Sequence, residues 1–236
     1  MNSIQFANLT FRGLQKDILL RDDPDTKLIV TINSELVVAA NRDPEFARIV
    51  NSSWATLDGQ WTYWFARWRS GNPSIEKISG SDFIYDLCQV SAQRSWRVFL
   101  LGARPEVNKK AVKTLGARYT IDIDGYSPPQ CDYPFPDELD MDIRTRLQAF
   151  SPHVLVMAFG APKQEFWADS HRLFLQKLGT KIVIGAGGTL DFVSGDIPRA
   201  PRWMQRAGLE SAWRFALQPR VRFRRILRAF KFLQYA

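Results

Sequence analysis

His153-Val154-Leu155-Val156-Met157-Ala158 followed by Phe159-Gly160-Ala161-Pro162-Lys163-Gln164-Glu165 is the stretch that decides how this chain folds. The first six residues form an apolar run of the kind that makes a buried strand. Phe166-Trp167-Ala168-Asp169 then opens a helix, with Pro162 near its first turn, where proline is well tolerated. The chain therefore leaves a sheet, turns on two small residues and enters a helix. Such a turn aims backbone N–H groups outward and suits a phosphate or carboxylate, with the Lys163 cation and the Gln164 amide beside it. The plain alternative is an ordinary α/β loop.

The same grammar repeats on both sides. Lys181-Ile182-Val183-Ile184-Gly185 is a second apolar run, leading into the glycine-rich turn Ala186-Gly187-Gly188-Thr189. Lys27 to Ile32 is a β-branched run expected at the centre of a sheet, and Trp54-Ala55-Thr56-Leu57 is a shorter one that delivers Asp58-Gly59. Arg97 to Gly102 and Tyr119 to Ile123 complete the strands, and Gln5 to Phe11 is expected as an edge strand. Between them lie helical stretches. One is expected to start with Asp43 as N-cap and Pro44 behind it. Another, Gln60 to Arg69, carries Trp61, Tyr63, Trp64, Phe65 and Trp68; most of these rings are expected in the core, with a face toward lipid or sugar as the alternative. Strand-helix alternation with continuous apolar strands gives an α/β fold class: a Rossmann-like, mostly parallel sheet with helices on both faces.

Composition narrows the function. The 236 residues are 45% hydrophobic and 13% aromatic, enough for a real core. No stretch has the length of a transmembrane helix, and the first residues lack a signal-peptide pattern. Two cysteines, Cys88 and Cys131, and two histidines, His153 and His171, have no metal-ligand spacing, so buried thiols in a reducing compartment are expected. No GxGxxG follows the first strand and no GxxxxGK[ST] is present, which argues against nicotinamide and P-loop chemistry. Residues 197–236 hold nine arginines and one lysine against Glu210, a net +9, which leaves −1 of the total +8 for everything before them. Such asymmetry calls for an acidic partner: nucleic acid, an anionic membrane or a polyanionic substrate. Pro219 to Tyr235 is expected as an amphipathic helix. Phe223, Ile226, Leu227, Phe230 and Leu233 form its stripe, Phe232 breaks the pattern, and arginines 220, 224, 225 and 228 with Lys231 lie opposite. This fits a membrane interface, with a terminal helix packed on the core as the alternative.

Taken in order, Thr31-Ile32-Asn33-Ser34-Glu35, Leu57-Asp58-Gly59, Ser79-Gly80-Ser81-Asp82, Val98 to Gly102, Gly160 to Glu165, Gly185 to Phe192, and Arg199-Ala200-Pro201-Arg202-Trp203-Met204 resemble the WecG/TagA/CpsF glycosyltransferases of bacterial cell-surface polysaccharide synthesis. The resemblance implies an inverting transfer from a UDP-sugar of hexose, N-acetylhexosamine or uronic acid type to a polyprenyl-diphosphate-linked saccharide. It places the enzyme in the cytoplasm, peripheral on the inner face of the plasma membrane. It implies no cofactor and no DxD-bound metal. It divides the chain into an α/β catalytic domain, 1–196, and a basic helical membrane-associating appendage, 197–236. By the same resemblance Asp58 is the catalytic base, and Thr31, Asn33, Lys77, Gly160, Lys163, Gln164, Gly187, Gly188, Arg199 and Arg202 bind substrate. Lys77 stands where the family often has arginine. The residues agree with this chemistry. A carboxylate at a strand end beside glycine can take the acceptor proton, and hydroxyl and amide groups at a second strand end can hold a sugar. Lys77, Lys163 or the tail arginines can clamp the diphosphate in place of a metal; three DxD tripeptides, at 23–25, 122–124 and 140–142, lie outside the quoted fragments. A basic nucleic-acid-binding protein or a non-catalytic membrane-surface protein is the alternative, although no helix-turn-helix, RRM or zinc pattern is present and no nucleic-acid partner is expected. A homo-oligomer is left open.

Overall fold

The structure is a computed structural model that describes residues 3–201, 204, 213, 215–216 and 231–235. A hairpin of β1 (Ile4–Phe6) and β2 (Leu9–Phe11) leads through α1 (Lys16–Leu19) to β3 (Lys27–Ile32). Then come α2 (Ser34–Ala40), α3 (Pro44–Ser52), β4 (Trp54–Leu57), α4 (Gln60–Ser70), α5 (Gly80–Arg94), β5 (Val98–Gly102) and α6 (Pro105–Tyr119). They are followed by β6 (Ile123–Tyr126), α7 (Asp137–Phe150), β7 (Val154–Ala158), α8 (Lys163–Ser170), α9 (Arg172–Lys177), β8 (Ile182–Gly185) and α10 (Thr189–Val193). Six strands form one sheet in the order β4-β3-β8-β7-β5-β6, every neighbouring pair parallel.

The strands are continuously apolar because both faces of the sheet are covered, and side chains alternate between the faces. Leu28, Val30, Ile32, Phe99, Leu101, Leu155, Met157 and Val183 enter one core, with α2, α3, α7 and α8. Ile29, Val98, Leu100, Val154, Val156, Ile182 and Ile184 enter the other, with α5, α6 and α10. Cys88 lies in this second core, where burial pushes its thiol up to about 12, while Cys131 is only half-buried. The expected start of α3 is present: Asp43 Oδ1 accepts from the amides of Glu45 and Phe46, with Pro44 as the first helical residue.

Four sequence expectations need correction. Gln5 to Phe11 is a separate antiparallel hairpin, because Ala7 and Asn8, at φ 50° and 62°, turn the chain back on itself. The strand expected over Tyr119 to Ile123 begins at Ile123: α6 runs on to Tyr119 and Thr120 caps it in the left-handed conformation. The aromatic helix α4 is not mostly core, since Trp61, Trp64 and Trp68 are 63%, 49% and 78% exposed. At the chain's end a short 3-10 turn, Lys231–Gln234, buries Phe232 against Phe6 and Phe65 and exposes Leu233, the reverse of the expected stripe. Arg202 and the remaining stripe residues Phe223, Ile226, Leu227 and Phe230 lie outside the described residues.

One close approach ties α8 to the sheet. A Cβ at Gly185, the last residue of β8, would sit 2.4 Å from Gln164 Nε2 and 2.5 Å from Glu165 Oε1. Glycine is required there because the helix start fills the space of a side chain. Glu165 is 1% exposed; its Oε1 accepts from Gln164 Nε2 at 2.8 Å, and Oε2 has no hydrogen-bond partner among the described residues. Burial without a cation favours the neutral acid and pushes Glu165 from about 4.5 up to about 7. The folded chain therefore keeps this proton after the unfolded chain has released it. The stability contributed is full below pH 4.5 and is lost as pH rises toward 7, on the order of 3 kcal/mol in total. Urea unfolding across that window tests this: Glu165→Gln should flatten the fall seen in the wild-type chain, and parallel pH profiles would contradict the assignment.

Candidate active site

All six strands point the same way, so their carboxyl ends deliver loops to one edge of the sheet. β3 and β8 are neighbours at the middle of this edge, with β4 beyond β3 and β7 beyond β8. Open parallel sheets bind ligands in crevices outside the carboxyl ends of their strands. Here the crevice is a cleft of about 400 Å³, lined from the ends of β3, β4, β7 and β8 and from the starts of α2 and α5.

The structure brings most of the expected residues to this cleft. Thr31 lies near the end of β3, and its hydroxyl donates to the Gly185 carbonyl at 3.3 Å. Asn33 is the N-cap of α2; its Oδ1 accepts from the Leu36 amide at 3.1 Å, which fixes the side chain and turns it into the cleft wall. Asp58 follows β4, half-buried, with its amide bonded to the Ile32 carbonyl at 2.8 Å and its carbonyl accepting from the Thr62 hydroxyl. Gly59, at φ 88°, makes the sharp exit that leaves Asp58 at the wall. Gly160 and Gly187 have φ of 85° and 49°, and nothing lies within 4 Å of where their side chains would be. With Gly188 they keep the floor open to a bulky group. Gln164 lines the cleft too, but its amide oxygen accepts from Gly160 N–H at 3.2 Å. That N–H is therefore turned inward and is not the outward donor expected of this turn.

Two expected cations are elsewhere. Lys163 Nζ donates to the Cys131 carbonyl at 2.9 Å and ties down the proline-rich loop after β6, outside the cleft lining. Lys77 Nζ donates to Gln60 Oε1 at 3.2 Å on the outer surface. Arg199 stands between these cases: its Nη2 reaches Asp82 Oδ1 at 2.6 Å and Ser81 Oγ at 3.3 Å, and Ser81 lines the cleft.

Sequence reasoning missed Arg42 and Glu35, both in the cleft wall on α2 and its exit. Arg42 is exposed and makes no ion pair among the described residues. The N-terminus of the fifteen-residue α5 also faces the cleft, with Ser79, Gly80 and Ser81 in its lining. Its partial positive charge suits an anion. A signal for Arg42 existed in its spacing: it lies one turn beyond Val38, which with Glu35 lines the same side of α2. Three of the DxD aspartates hold side-chain partners of their own. Asp140 accepts from Trp167 Nε1 at 2.7 Å, Asp142 from Arg146 at 3.1 Å, and Asp23 pairs with Lys27 at 2.6 Å. Among the described residues no helix is long and apolar enough to cross a membrane.

Comparison with known proteins agrees with this geometry. The N-acetylglucosaminyldiphosphoundecaprenol N-acetyl-beta-D-mannosaminyltransferase of Bacillus subtilis (strain 168) is 31% identical over 205 residues, covering 85% of this chain and 75% of that protein. The family described as glycosyl transferase WecG/TagA/CpsF matches residues 1–236. The chain is a glycosyltransferase and belongs to the WecG/TagA/CpsF family.

Proposed function

We propose that this glycosyltransferase moves a sugar, with inversion, from a UDP-sugar to a saccharide linked to polyprenyl diphosphate. An acceptor ending in N-acetylglucosamine and a donor of N-acetylhexosamine type fit best, by likeness to the Bacillus subtilis relative's name. The observation that carries the reading is the cleft at the strand ends. Its lining gathers a strand-end carboxylate, Asp58, the polar side chains of Thr31 and Asn33, and open glycine turns at Gly160 and Gly187-Gly188.

The chemistry follows from the parts. Asp58 accepts the proton of the acceptor hydroxyl as its oxygen attacks the anomeric carbon. The bond from that carbon to the UDP oxygen breaks on the opposite side, and UDP leaves carrying the electron pair. Three features support charge stabilisation at the leaving group: Arg42 in the cleft wall, the α5 N-terminus, and Arg199 beside it. This clamp replaces the Lys77 and Lys163 pair and needs no metal. Thr31, Asn33 and Gln164 hold the donor, and Glu165 with Gly185 fixes Gln164. The basic segment 197–236 supports a peripheral position on an anionic membrane surface, where the acceptor is available.

Two carboxylates line the cleft, so the base can be told apart by experiment. With a UDP-N-acetylhexosamine and a polyprenyl-diphosphate-GlcNAc analogue, Asp58→Asn should lower turnover by about 10²–10⁴, the range for a general base, with UDP binding retained. Glu35→Gln should cost less than about tenfold; the opposite order would give Glu35 the role of base. The clamp is read separately. Arg42→Ala should weaken UDP binding by about tenfold or more, as loss of a charged hydrogen-bond donor does, and wild-type turnover should persist in EDTA. Unchanged UDP affinity in that variant, or turnover abolished by EDTA and restored by Mn²⁺, would reject the clamp.

A further inference from the structure

The aromatic face of α4 is unaccounted for by the cleft or the core. Its inner side is ordinary: Thr62 and Ala66 are buried, and Phe65 packs on Phe232 at 5.8 Å between ring centres. Its outer side carries Trp61, Trp64 and Trp68 at helical spacing, the first two edge to face at 5.6 Å. None of the three indole N–H groups has a hydrogen-bond partner among the described residues. Leaving three tryptophans in water is costly for a folded chain, and an exposed apolar cluster of this kind marks a contact surface.

We propose that α4 is a membrane-docking helix that lies in the headgroup region of an anionic bilayer and holds the cleft at that surface; the proposal rests on the reading that the acceptor is lipid-linked. The residue types select the occupant. Tryptophan concentrates at the boundary between lipid tails and water, where the ring is buried and its N–H stays wet. The sequence of α4, Gln60 to Ser70, contains no acid and two arginines. Arg67 and Arg69 are exposed near its end, and Lys77 is exposed against Gln60 at its start. The acid before the helix, Asp58, belongs to the cleft wall, and the first acid after it, Glu76, accepts from the Lys16 amide at 3.0 Å. An apolar aromatic face with a cationic border and no acid complements anionic headgroups. The chain's terminal turn, Lys231–Gln234, packs Phe232 on the inner side of the same helix.

The area argues against a second copy of the chain as the occupant. Three partly exposed indoles offer on the order of 450 Å², well short of the roughly 800 Å² per partner that a stable dimer buries. Position supports the membrane. α4 starts two residues after Asp58 and is about 16 Å long at ~1.5 Å per residue, so a bilayer against it lies within about one helix length of the cleft wall.

The test uses the full chain and two vesicle compositions, phosphatidylglycerol with phosphatidylethanolamine, and phosphatidylcholine alone. The wild-type protein should bind the anionic vesicles, and its tryptophan fluorescence should be quenched when the acyl chains are brominated. The triple variant Trp61→Ser, Trp64→Ser, Trp68→Ser should bind at least tenfold more weakly and lose most of that quenching. Its turnover on a short-chain, detergent-soluble acceptor should be unchanged. Because these residues are exposed, circular dichroism of the variant should match wild type; if it does not, the quenching of the wild-type protein decides. Vesicle binding equal to wild type in the variant, or no quenching of wild type by brominated lipid, overturns the proposal. So does loss of self-association in the variant with vesicle binding intact, which would assign the face to a second copy. The binding and quenching results hold whether or not the chosen acceptor is turned over, so failure of the proposed reaction is read separately.

Discussion

A parallel sheet covered on both faces is the constraint from which the rest follows. Parallel strands cannot be joined by tight hairpins, so every connection crosses a face and places a helix there. In this chain the crossing helices divide the apolar side chains into two cores, with alternate residues of β3, β5, β7 and β8 assigned to each. The same constraint sends every strand end to one edge. The polar and glycine residues that could not sit within the strands collect there, and the cleft is their common neighbourhood.

Within that frame, one contact sets the precision of the site. Gly185 ends β8 without a side chain, and Gln164 with Glu165 occupies the space. Gln164 then bridges two elements, accepting from Gly160 N–H and donating to Glu165 Oε1. A polar residue at the floor of the cleft is thereby held from both sides, and its support is a buried acid that is most stable uncharged. The arrangement couples the glycine-rich turn after β8 to the turn after β7, which are far apart in sequence and adjacent in the cleft.

The fold was legible because its signal is strong and local. Runs such as Val154 to Ala158 and Ile182 to Gly185 are long, apolar and ended by small residues. Asp58, Thr31 and Asn33 were legible for a related reason, since a polar residue among the last of such a run or just after it lies at the strand's end. What was not legible is side-chain direction on helices. Lys163 and Gln164 are consecutive, yet successive helical residues diverge by about 100°, so one meets the cleft and the other Cys131. Arg42 lies in none of the quoted motifs; its one trace in the sequence is its helical spacing from Glu35 and Val38, which acquires meaning once the packing of α2 on β3 brings that side to the wall. The end of α6 was hidden because Tyr119 and Ile121 have strand-like character, while the helix stop depends on Thr120 adopting a left-handed conformation. The outward tryptophans of α4 broke the general rule that large rings go inside, which is a reason to look for their partner.

The central claim is that the cleft at the ends of β3, β4, β7 and β8 holds the UDP moiety. Amide hydrogen exchange with and without saturating UDP tests it most directly, because it reports the site without requiring the correct donor sugar or acceptor. The account predicts slowed exchange over 31–36, 79–83, 159–165 and 185–190, with no change over α4 or the loop from 127 to 136. UDP binding that leaves the ends of β3 and β8 unprotected, or protects the Lys163 side of the proline-rich loop instead, would contradict it.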